Sequence, residues 1–92
     1  MKIISNRITN FTITNSTNDR WFRAEFIYKK KPFIISLTQV TITKQIYVKV
    51  YDSHYANRRR WFMESDIPIM DNLKKIISFC EANLCHEDQT LL

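Results

Sequence analysis

Alternation of apolar and polar positions is strongest between Arg20 and Leu37. Phe22, Ala24, Phe26 and Tyr28 share one parity, while Trp21, Arg23, Glu25 and Ile27 share the other. Aromatic and β-branched residues dominate, as in strands of a sheet with one covered face. Lys29 to Pro32 reads as a tight basic turn, with Pro32 expected to interrupt the ladder. Phe33, Ile35 and Leu37 then return on the core phase, completing a hairpin. From Thr38 to Thr43 the phase slips, because Val40 and Ile42 are out of step with Leu37, and this predicts a bulge or bend in a long third strand. Lys44 and Gln45 are expected to turn the chain. Ile46, Val48 and Val50 then line the covered side of a fourth strand whose outer side carries Tyr47, Lys49 and Tyr51.

The flanking segments are less regular. Ile3 to Thr14 alternates imperfectly and is read as a bulged first strand at a sheet edge, closed by a polar turn from Asn15 to Asp19. Asp52 to Glu64, which holds His54, Tyr55, Asn57 and the run Arg58, Arg59, Arg60, Trp61, Phe62, shows no period and is read as a loop, long enough to suggest a role of its own. Beyond it the period becomes helical. Ser65 or Asp66 can cap a helix that accepts Pro68 in its first turn, with an apolar stripe of Ile69, Met70, Leu73, Ile76, Ile77, Cys80 and Leu84 running to about Cys85. His86 to Leu92 reads as a frayed polar tail. The expected fold is α+β: one domain over residues 1–92, with a four-stranded antiparallel sheet and one C-terminal helix packed on one face, in the order ββββα. No helix separates consecutive strands, so parallel pairing is excluded.

Composition narrows the function. A chain of 92 residues, 45% hydrophobic and 25% charged, folds around a small core with no room for a deep cleft. Glycine is absent, which excludes the standard phosphate-binding loop, dinucleotide fingerprint, nucleophile elbow and calcium loop. No secretory leader or run of about 18 apolar residues is present, so a soluble, cytoplasmic protein is expected. Cys80 and Cys85, five positions apart on a helix, are too distant for a disulfide and fit a reducing compartment. The glycosylation motifs at Asn10 and Asn15 matter only in a secreted chain.

The net charge of +5 is unevenly spread. Met1 to Trp61 carries twelve Lys and Arg against Asp19, Glu25 and Asp52, or +9, whereas Phe62 to Leu92 sets Lys74 and Lys75 against six acids, or −4. A basic β-rich part followed by an acidic helical part points to a partner that is anionic on one side.

Two constellations carry chemistry. Guanidinium groups at Arg58, Arg59 and Arg60 can pair bidentately with phosphate or carboxylate, and Trp61 can stack on a base. The competing reading is a solvated loop whose Trp61 anchors it to the sheet. The uncovered sheet face would hold Trp21, Arg23, Tyr47, Lys49 and Tyr51, a mixture of rings and cations suited to single strands or to a protein interface, including that of a homodimer. Ordinary cross-strand pairing is the alternative. Lys29, Lys30 and Lys31 form a charged hairpin tip that adds to the basic surface. Cys80, Cys85, His86 and His54 match no metal-ligand spacing, and Asp52 with His54, or Cys85 with His86, lacks the third group a catalytic set needs. No enzyme activity, cofactor or metal is expected.

No motif identifies a family. By composition alone, rich in Ile, Asn and Lys, the chain suggests a phage or mobile-element protein acting on host machinery in the host cell cytoplasm. The functional expectation is a non-catalytic binding protein that inhibits or modulates a host nucleic-acid-handling complex through its basic, aromatic surface. The alternative is direct DNA or RNA binding by the open face and the Arg58–Trp61 segment. A carboxylate-rich helix would repel a wrapped phosphate backbone, which favours the protein partner.

Overall fold

Among the described residues the chain forms five strands ahead of one helix. The structure, a computed structural model, describes residues 6–54 and 57–90. Its strands are β1 (Ile8–Asn18), β2 (Trp21–Tyr28), β3 (Lys31–Val40), β4 (Gln45–Asp52) and β5 (Arg58–Glu64), followed by a 3₁₀ turn (Ile69–Asp71) and the helix α1 (Leu73–Thr90). Each strand pairs antiparallel with the next, giving a meander in the order β1-β2-β3-β4-β5. The α+β class with one antiparallel sheet and one C-terminal helix holds, and the strand count is corrected from four to five.

The additional strand is β5, where a loop was expected. Its exposure alternates strictly, with Arg59, Trp61 and Met63 on the covered side and Arg58, Arg60, Phe62 and Glu64 outside. The pattern is hidden in the sequence because a cation, Arg59, points inward and a large apolar ring, Phe62, points outward. Tertiary pairing with β4, in unbroken register from Gln45↔Glu64 to Tyr51↔Arg58, overrides the weak local signal.

Turns without glycine have identifiable geometry. Tyr28 and Lys31 are paired, so Lys29 and Lys30 form a two-residue hairpin loop, and both have positive φ, 49° and 68°. That is the backbone of a type I′ turn, which matches strand twist but normally selects Asn or Gly. Pro32 does not end the ladder. It lies within β3 opposite Ile27, beyond the end of β4, whose pairing starts at Phe33. Between β3 and β4 the chain turns over residues 41–44, with Lys44 N–H donating to Val40 O at 2.9 Å and Lys44 at φ 59°. The phase slip foreseen at Val40 and Ile42 is therefore the end of the strand. Ile42 stands 93% exposed in the turn.

Among the described residues the first strand starts at Ile8, and it runs through the segment assigned to a turn, whose reversal is confined to Asp19 and Arg20. There Asn18 Oδ1 accepts from Arg20 N–H at 2.7 Å. Ile3 and Ile4 lie outside the described residues, as does Tyr55 of the segment read as a loop. Three register shifts, with Asn10 at φ 53°, confirm β1 as an irregular edge.

The core is one apolar layer between sheet and helix. Phe22, Phe26, Ile35, Leu37, Ile46, Val48 and Val50 meet Ile69, Ile76, Ile77, Cys80 and Leu84, all buried, as the helical period implied. The helix starts at Leu73, with Pro68 and the 3₁₀ turn ahead of it, and continues through the tail to Thr90. Its start is tied to the sheet by polar side chains. Gln39 Nε2 donates to Ser65 O (2.9 Å) and Ile67 O (3.1 Å), and the buried Asn72 donates to Ser65 Oγ at 3.0 Å. These bonds hold the chain between β5 and α1 against the end of β3, and α1 packs on one face of the sheet.

Candidate binding face

Registers of the three strand pairs from β2 to β5 assemble the uncovered face in transverse rows. One row runs Trp21, Thr38, Tyr47, Phe62; the next runs Arg23, Ser36, Lys49, Arg60; a third runs Glu25, Ile34, Tyr51, Arg58. Adjacent rows lie about 7 Å apart, two residues along a strand. A basic row is thus flanked by an aromatic row on one side and by Tyr51 with Arg58 on the other. Tyr47 and Phe62 meet edge to face with centroids 5.1 Å apart, and the Arg58 guanidinium lies 5.9 Å from the Tyr51 ring centre.

The surface is contoured. Thr38, Tyr47, Lys49, Arg60 and Phe62 border a shallow cavity of about 350 Å³, and Trp21, Arg23, Ser36, Tyr51 and Arg58 border one of about 270 Å³. Phe62 is 57% exposed, an unusual position for so large an apolar ring. Lys49 and Arg60 stand directly opposite each other, an arrangement that is repulsive in a sheet. Among the described residues, ion pairs form at Lys29, Lys44 and Arg59, and none at Lys49, Arg58 or Arg60.

The three arginines do different things because strand parity separates them. Arg58 and Arg60 join the open face. Arg59 turns inward, ion-paired through Nε with Glu87 of α1, with its guanidinium 5.4 Å from the centre of the Phe33 ring. Its Nη1 is buried with no hydrogen-bond partner, which leaves the ring face as that end's favourable contact. Trp61 also faces the covered side, edge to face with Phe79 at 6.2 Å, and acts as a packing anchor.

The lysine tip likewise serves the helix side. Lys29 Nζ reaches Asp88 at 2.7 Å, and the Tyr28 hydroxyl donates to the same carboxylate at 2.9 Å. Hydrogen bonds from Lys29 and Tyr28 hold the Asp88 carboxyl below the usual carboxylate range. Lys31 lines a depression with Arg59, Glu87 and Asp88. Lys30 is exposed at the tip. Nearby, Arg7 donates through its backbone N–H to Glu81 at 3.0 Å and through its guanidinium to Cys85 Sγ. The carboxylates of α1 are therefore bonded to the sheet layer on the side away from the open face.

Of the expected site residues, Trp21, Arg23, Tyr47, Lys49, Tyr51, Arg58 and Arg60 come together, while Arg59, Trp61, Lys29 and Lys31 do not join them. Phe62, Thr38, Ser36 and Ile34 complete the face and were not anticipated. Only recognition of β5 as a strand would have found Phe62. Cys80 is buried in the core, and burial pushes its thiol pKa up. No cluster of three or more His, Cys, Asp or Glu suited to a metal occurs among the described residues, and no helix is long and apolar enough to cross a membrane. Comparison with protein-family models, curated proteins and solved structures finds no match.

Proposed function

We propose that the protein is a non-catalytic binding module whose open sheet face holds single-stranded nucleic acid. The observation that carries this reading is the repulsive Lys49–Arg60 pair, set without a carboxylate partner between the exposed Phe62 ring with half-buried Tyr47 on one side and the half-buried Tyr51 on the other. An arrangement that costs stability within the chain is relieved by phosphates laid along the basic row, while bases stack on Trp21, Tyr47, Phe62 and Tyr51. The acidic helix stands clear of phosphates laid on the open face. Its carboxylates lie behind the sheet, bonded to Lys29, Arg59 and the Arg7 backbone.

Fluorescence anisotropy with labelled single-stranded DNA and RNA, across a salt series, tests the proposal. Log affinity falls steeply with log salt, and Arg60→Ala lowers the slope by about 0.7 to 1. Phe62→Ala weakens binding by about 1 to 3 kcal/mol and leaves the slope unchanged. If no nucleic acid binds but a nuclease-resistant protein from a host lysate is captured and lost in Arg60→Ala, the occupant is an acidic protein surface. The module is then an inhibitor of a host nucleic-acid-handling complex, of the kind phages and mobile elements encode, with Phe62 and Tyr47 as anchors.

A further inference from the structure

The two edges of the sheet differ in a way the open-face reading does not use. The β1 edge is broken by three register shifts, a common way of preventing strand addition. The β5 edge is regular over all seven of its residues and, among the described residues, pairs only with β4. Regular, unpaired backbone of this length is a template for another strand.

The order of side chains along β5 selects what that strand is. Reading Arg58, Arg59, Arg60, Trp61, Phe62, Met63, Glu64, the segment is basic at its start, apolar beyond its centre and acidic at its end. Such a strand complements itself when reversed. We infer that two copies of the chain join antiparallel through β5 about a twofold axis at Trp61, making one ten-stranded sheet.

Parity and charge choose the register. For both helices to lie on the same side of the joined sheet, residues facing each other across the junction must share a face, so their numbers sum to an even value. Centring on Arg60 sets that arginine against the partner's Arg60, which is repulsive. Centring on Phe62 uses only the part of β5 from Arg60 onward. Centring on Trp61 uses the whole strand, setting Arg58 against the partner's Glu64 and Arg60 against the partner's Phe62 on the open face. By symmetry each pair occurs twice, in an isologous interface. The row Arg23, Ser36, Lys49, Arg60 then runs on into the aromatic row of the other copy, so the two open faces become one surface.

Sedimentation velocity of the full, nuclease-treated chain over a concentration series reads this directly. The wild type moves with concentration toward the mass of two chains. Glu64→Arg, which replaces both attractive pairs by repulsive ones, weakens association about tenfold. Glu64 is exposed and faces Gln45 within its own chain, so at concentrations low enough for both to be monomers a melt of this variant matches the wild type. The double change Arg58→Glu with Glu64→Arg restores association by reversing the pair. A wild type that stays monomeric to its solubility limit overturns the inference. So does a dimer indifferent to Glu64→Arg, or one that the reversed pair does not rescue. Nucleic-acid binding by single chains at low concentration is independent of this outcome, so either reading can fail alone.

Discussion

Lys29 and Lys30 occupy the left-handed region, where a side chain with a Cβ costs about 1 to 2 kcal/mol. Lys29 is compensated by Asp88 and by the Tyr28 ring, 5.5 Å from its ammonium group. Lys30 has no such compensation among the described residues, and Lys30→Gly is expected to stabilise the fold by about 1 kcal/mol in a urea melt, whereas Lys29→Gly gains less. Three neighbouring arginines separate by the same residue-level logic. Arg59→Ala loses a half-buried ion pair and costs about 1 kcal/mol of stability with little change in ligand affinity, while Arg58→Ala and Arg60→Ala do the reverse. Two buried groups give the molecule an alkaline limit. Burial raises the Cys80 pKa, and burial with hydrogen bonds to Cys85 and Asp88 raises that of Tyr28. A raised folded pKa means that stability is complete below the unfolded value and is lost as pH climbs past it, from about 8.5 for Cys and about 10 for Tyr. The urea midpoint should begin to fall near pH 8.5, and Cys80→Ala should move that onset toward pH 10 despite its own constant cost.

At the scale of elements, the helix and β5 respond oppositely to substitution. Ile77 is buried against the sheet and Lys74 is exposed, so Ile77→Ala should cost about 2 to 4 kcal/mol and Lys74→Ala almost nothing. Equal effects in parallel urea melts would mean that α1 is not packed on the sheet through this stripe. The helical period was legible because its stripe is purely apolar from Ile69 to Leu84. Its boundaries were not, because Pro68 is followed by a 3₁₀ turn and a buried Asn72 whose carbonyl accepts the Ile76 N–H at 3.1 Å. β2 to β4 read clearly because every inward residue from Phe22 to Tyr28, from Phe33 to Leu37 and from Ile46 to Val50 is apolar or aromatic. β5 departs from that rule at Arg59 and Phe62, and only its pairing with β4 decides it.

For the molecule as a whole, the charge separation along the chain is partly spent internally. Lys29 and Arg59 of the basic part bind Asp88 and Glu87 of the acidic part, while Lys49, Arg58 and Arg60 remain directed outward on the opposite side. Salt should therefore act differently on the two sides. Raising ionic strength weakens ligand binding steeply, because each phosphate contact releases counterions, yet it shifts the melting temperature little, because exposed and half-exposed pairs contribute about 1 kcal/mol or less each. A melting temperature that falls in step with affinity would show that the face and the fold share one set of electrostatic contacts.

Period and composition alone determined the antiparallel sheet, the single covering helix and the inward residues of β2, β3, β4 and α1. These follow from local repeats of two and of about 3.6 residues, which backbone geometry imposes wherever one face is buried. Composition also removed every function that requires glycine. Tertiary structure alone decided the fifth strand, the opposite orientations of Arg59 and its two neighbours, the withdrawal of Lys29 toward the helix, and the gathering of Phe62 with Tyr47 and Lys49. Each depends on which strand lies beside which, and cross-strand register is a property of pairs of segments that no single segment encodes.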